Sequence, residues 1–133
     1  MIYNLVQLLK TNFPTETFYA NQEMTTQGIV ADKRCIVMES GGTDRPDTRL
    51  IRQRVQFNIR DLDGPKARVF AYQIYNYLQS RWGLILPSVT VDGVLFPQIE
   101  SAELTAIQTP QSMGKDDNGR SVFVFNFIVI WEA

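Results

Sequence analysis

The sequence predicts an α+β fold, an antiparallel (mixed) sheet of about four to five strands with two helices packed on it. Three observations lead there. Residues 50–60 alternate with a period of two, the mark of a strand with one covered and one open face. Residues 65–82 repeat apolar side chains at helical spacing behind a Gly64-Pro65 start. Residues 121–131 (SVFVFNFIVIW) are apolar on nearly both faces, as in a central strand, or one whose outer face is buried by another subunit.

The other elements follow in chain order. Ile2, Leu5, Val6, Leu9 and Phe13 lie on one stripe, so residues 2–12 form a short amphipathic helix ended by Pro14. Thr15–Ala20 (TETFYA) is β-prone and reads as a short strand, and Asn21–Asp32 reads as a loop. Arg34–Ser40 is a strand, broken by Gly41-Gly42 and the turn-like, charged TDRPDTR. In the alternating strand Ile51, Val55, Phe57 and Ile59 point to the core, and Arg52, Arg54, Gln56, Asn58 and Arg60 point away. Asp61–Pro65 starts the long helix, with Asp63 or Gly64 as cap. Its core stripe is Ala67, Phe70, Ala71, Ile74, Tyr77, Leu78 and Trp82, and Gly83 is its expected C-terminal cap. At about 1.5 Å per residue that helix spans roughly 27 Å, enough to cross a four-stranded sheet. Asp92-Gly93 between β-prone runs marks a small hairpin. Residues 100–107 form a further strand, and QTPQSMGKDDNG before the last strand reads as a protruding arm, long for a hairpin loop.

The totals fit one domain over residues 1–133. Hydrophobic residues make up 44% and charged residues 20%, so the chain can bury a sizeable core, with eight Phe, five Tyr and two Trp supplying large apolar area. A net charge of −1 gives no global field toward nucleic acid or anionic lipid. Nine of the thirteen cations are Arg, a residue suited to planar pairing at interfaces. Cys35 is the lone cysteine, so no internal disulfide forms, in keeping with a reducing compartment. Its apolar surroundings make it a small core residue rather than a reactive thiol. No signal peptide is expected, and no stretch of uncharged apolar residues is long enough to span a membrane.

Few constellations point to chemistry. The chain has no histidine, which removes the commonest general base and the usual zinc ligand. It has no P-loop and no GxGxxG. Asp61 and Asp63 read as helix-start residues rather than a catalytic or metal-binding pair. Asp116 and Asp117, with Asn118-Gly119, lack the alternating spacing of a calcium loop and read as a solvated turn. Tyr72, Tyr75, Tyr77 and Trp82 read as helix–sheet core rather than a stacking platform. The Arg52, Arg54 and Arg60 face stands out. It fits a protein interface pairing with carboxylates of a neighbour (Asp44, Asp47 or the 115–120 arm), a phosphate-tracking surface, or a plain solvated face. Residue chemistry alone thus leads to a soluble α+β domain that binds other protein surfaces.

The order of elements is more specific. RCIVMESGG, a charged break, RQRVQFNIRD, a Gly-Pro-led helix with AYQIYNYLQ, and the closing FVFNFIVIWE resemble the phage tail terminator and minor capsid (head–tail joining) proteins of long-tailed phages. Gly41-Gly42 after Glu39-Ser40, with helix 65–82, carries the resemblance best. The resemblance implies a structural virion protein, not an enzyme and without cofactor or metal, made in the host cytoplasm and placed at the head–tail junction. It implies a homo-oligomeric ring, six-fold, capping the major tail tube protein, ending tube polymerisation and meeting the head connector or completion protein, with DNA passing through and no membrane. A head-completion or connector protein is the alternative role, and a nucleic-acid-binding module the more distant one. Within this frame the partner contacts are expected at Gly41, Gly42, Asp44, Arg45, Asp47, Arg49, Arg52, Arg54, Arg60, Lys115, Asp116, Asp117 and Arg120.

Overall fold

A computed structural model describes residues 1–21, 33–41 and 49–132; the loop read at Asn21–Asp32, its first residue apart, and most of the Gly41–Arg49 break lie outside the described residues. Its elements are α1 (Ile2–Asn12), β1 (Phe18–Ala20), β2 (Lys33–Glu39), β3 (Leu50–Asp61), α2 (Gly64–Leu78), β4 (Arg81–Leu86), β5 (Val89–Val91), β6 (Val94–Phe96), β7 (Ile99–Ala106), β8 (Gln111–Lys115) and β9 (Ser121–Glu132). The fold is α+β, as expected. Among the described residues its main sheet has seven strands in the order β1-β2-β3-β9-β7-β4, with β8 also beside β9. Among the described residues only β1 and β2 pair in parallel; the other pairings are antiparallel.

The closing apolar run is the central strand. β3 pairs along the whole of β9, from Leu50 opposite Glu132 to Asp61 opposite Ser121. The other edge of β9 is shared by β8 near Val124 and β7 near Val129. One face of this sheet carries Cys35, Val37, Val55, Phe57, Ile59, Phe123, Phe125, Phe127 and Val129, all buried. The apolar stripes of both helices pack onto that face: Ile2, Leu5, Val6 and Leu9 from α1, and Ala67, Phe70, Ala71, Ile74 and Leu78 from α2. Phe57 and Phe125 face each other in register and stack at 4.8 Å, with Phe127 edge-on to both. Tyr75 leans from α2 onto Phe125 and Phe127, and Tyr77 meets Phe13 edge-on, so these tyrosines belong to the helix–sheet packing.

The helix boundaries follow local chemistry. Asp63 caps α2 by accepting from Lys66 N–H at 3.1 Å, and Asp61 steadies that cap by accepting from Asp63 N–H at 2.9 Å. Both aspartates therefore do helix-start work. The far end differs from the expected 65–82 helix. It stops at Leu78, Gln79 is the C-cap, and Ser80 turns the chain at φ 57°. Trp82 is not on the core stripe: it lies on β4 and is 77% exposed. Gly83 is no helix cap either; at φ 63° it occupies a register shift within β4. The expected arm at 108–119 also proves more ordered, since β8 pairs with β9 and leaves only a short turn. The small hairpin stands where expected, with Asp92 and Gly93 both at positive φ between β5 and β6.

Asn4 is the polar residue that the α1 pattern passes over. It is buried, and its amide nitrogen donates to the carbonyl oxygens of Pro87, Phe96 and Pro97 at 3.0, 3.2 and 3.0 Å. Tyr3 packs on Phe96 at 4.8 Å beside it. The β5–β6 hairpin is thereby clamped to α1. Replacing Asn4 with Ala removes three hydrogen bonds made by a buried amide, so urea denaturation should show a loss of about 1–3 kcal/mol. Phe125→Ala opens a cavity under α2 and should cost about 3–5 kcal/mol in the same measurement.

Candidate assembly surface

Both helices pack on one face of the sheet, and no helix among the described residues covers the opposite face. By alternation it presents Arg52, Arg54, Gln56, Asn58 and Arg60 from β3 and Val122, Val124, Asn126, Ile128 and Ile130 from β9, with Glu103 and Thr105 from β7. The two ends of this open face handle their charges differently.

At one end the cations are paired inside the chain. Asp116 Oδ2 accepts from Arg60 Nη1 at 2.8 Å and from Arg120 Nε at 2.9 Å. Asp116 Oδ1 accepts from the backbone N–H groups of Asn118 and Arg120, each at 2.9 Å. Arg60 Nε also donates to Asn58 Oδ1 at 2.9 Å. Arg120 is only 2% exposed. The cluster fastens the turn between β8 and β9 onto β3. Burial pushes the Asp116 carboxyl up. Hydrogen bonds from Arg120 N–H, Arg60 and Asn118 N–H, with the Arg120 charge, outweigh that and lower it to about 2.

At the other end the cations are open. Arg52 and Arg54 are exposed, and among the described residues neither has an ion-pair partner. The register sets Arg52 opposite Ile130, and Ile130 opposite Glu103, which is also exposed. Beside this row lies a cleft of about 650 Å3 between the start of α1, the β6–β7 connection and the end of β9. Ile99, Ile130 and Trp131 contribute its apolar wall, and Glu100, Glu103 and Glu132 its acidic one. Glu132 stands 3.9 Å from Arg49, an exposed pair of the kind worth little to stability.

The residues singled out from the sequence therefore separate. Arg60, Asp116 and Arg120 come together in one internal network. Arg49, Arg52, Arg54, Lys115 and Asp117 are exposed. Gly41 is exposed at φ 80°, and its carbonyl accepts from the buried Gln53 amide at 3.2 Å. Gly42, Asp44, Arg45 and Asp47 lie outside the described residues. Sequence reasoning passed over Glu100 and Glu103. Their signal was Glu103 at the outward position between Ala102 and Leu104, with a second carboxylate, Glu100, at the start of the same strand. Cys35 is fully buried, and burial pushes its thiol up, which leaves it inert. Among the described residues no three Cys, Asp or Glu side chains gather to hold a metal, and no helix is long and apolar enough to cross a membrane.

A sheet with helices on one face and a charged, partly aliphatic open face defines a class of α+β proteins without pointing to one reaction. The class narrows at residues 31–132, which match the family described as bacteriophage tail terminator protein. The chain belongs to the bacteriophage tail terminator family, and it is a structural component of the phage tail. No curated protein matches it.

The Asp116 network has a definite pH sign. Its folded carboxyl titrates below the ordinary 3.8, so the stability it contributes is complete above about pH 4 and is lost as pH falls toward 2. Asp116→Ala should cost roughly 1.5–3 kcal/mol at pH 7 by chemical denaturation. The gap between mutant and native protein should close as denaturation is repeated toward pH 2.

Proposed function

We propose that this chain ends phage tail tube growth. Copies assemble as a ring, six-fold in the reading the family resemblance supports, and the ring seats on the last layer of tail tube protein. It thereby blocks further addition and offers its outer surface to the head connector or completion protein, with DNA passing through the ring. The observation that carries this reading is membership of the terminator family over residues 31–132. The surface supports it. Heterologous contacts closed by rotation use two unlike patches on each copy, and this protein exposes both basic and acidic strips. It also exposes apolar side chains on its edge strand, Trp82 at 77% and Ile85 at 52%.

The test is direct. Purified protein added to polymerising tail tube protein should stop elongation and appear by electron microscopy as a ring on one tube end. Tubes that grow to the same lengths with and without the protein overturn the proposal. Binding to the connector but not to the tube would move the chain to the head-completion role.

A further inference from the structure

We infer that neighbouring copies of this chain meet by setting the Arg52–Arg54 strip of one against the acidic lip, Glu100 and Glu103, of the next. The inference rests on the ring-forming reading above and names the surface that builds the ring.

Three observations carry it. The first is the contrast between the two ends of the open face. At one end Arg60 and Arg120 are paired on Asp116 and largely shielded from solvent. Arg52 and Arg54 stay exposed and without an ion-pair partner among the described residues, and so do Glu100 and Glu103. The second is their arrangement. Arg52, Ile130 and Glu103 form one cross-strand row, so positive, aliphatic and negative strips run side by side over roughly 10 Å, two strand spacings. The basic and acidic strips are two unlike patches, as a head-to-tail contact between copies requires. The third is the cleft beside Glu100 and Glu103, whose wall of Ile130 and Trp131 is only partly covered in a single copy. Contact would remove that apolar surface from water, while the opposite charges set the register and reject wrong alignments. Nucleic acid fits this surface less well, because phosphates drawn to Arg52 would also face Glu103.

Charge exchange tests the contact. One variant carries Arg52→Glu and Arg54→Glu; a second carries Glu100→Lys and Glu103→Lys. Circular dichroism checks that each is folded, as expected for exposed positions. Analytical ultracentrifugation then reads assembly above the 15.2 kDa of a single chain. The native protein should assemble, and each variant alone should need on the order of tenfold more protein or higher, because like charges now face each other. An equimolar mixture of the two should return to native behaviour. So should a single chain carrying Arg52→Glu with Glu103→Arg, which reads the contact even if a fourfold-altered mixture misfolds. Variants that assemble like the native protein, or exchanges that fail to restore assembly, overturn the inference and leave tube capping untouched. A native protein that stays a single chain at high concentration overturns it as well. Loss of duplex DNA binding in the arginine variant, with assembly unchanged, would reassign the strip to nucleic acid. Failure of the ring reading is separate, since it is scored by tube length.

Discussion

The pairing of β9 with β3 over twelve residues is the constraint on which the rest of the structure depends. It brings Phe57 against Phe125 and leaves Phe127 edge-on to both, which builds the centre of the core. A one-residue slip would turn these rings to the open face and bring Arg52 and Arg54 inside, so the register is strongly specified. The helices depend on it in turn. α2 finds its bed only because Val55, Phe57, Ile59, Phe125 and Phe127 form one continuous apolar surface.

The same pairing decides what the arginines do. Alternation along β3 sends Arg52, Arg54 and Arg60 to one face. Their fates then diverge with the local environment. Arg60 meets Asp116, whose two oxygens accept four donors, and a carboxylate so fully satisfied can stay ionised where little water reaches. Arg52 and Arg54 sit where β9 offers Ile128 and Ile130 instead, so their charges face solvent. An ion pair at this end gains little while exposed to water and more once a second surface excludes it. Charges left open beside half-buried aliphatics suit a protein whose work is assembly, in keeping with the terminator family.

Much of this was legible in the chain. Period-two alternation over residues 50–60 and the helical stripe from Ala67 to Leu78 located the central strand pair and the helix, because burial on one face imposes those periods on any sequence. Asp63 with Pro65 marked the helix start, and Asp92-Gly93 the hairpin, since each rests on local backbone chemistry. The order of these elements also sufficed for the family resemblance that the match over residues 31–132 bears out.

What sequence could not decide was wherever long-range pairing overrides a local pattern. Trp82 completes the helical stripe in the sequence, yet the chain turns at Ser80 because β7 offers a free edge to RWGLIL. β8 has no apolar alternation of its own; the open edge of β9 makes it a strand. Asn4 has no place in the apolar stripe of α1, and only the fold brings the Pro87, Phe96 and Pro97 carbonyls around it. The sequence by itself determined the α+β class, the core faces and the presence of an arginine-rich strand, because those follow from periodicity. Only the tertiary structure separated the arginine held by Asp116 from the two left open beside Glu103. That division depends on residues far apart in the chain becoming neighbours, which no local pattern records.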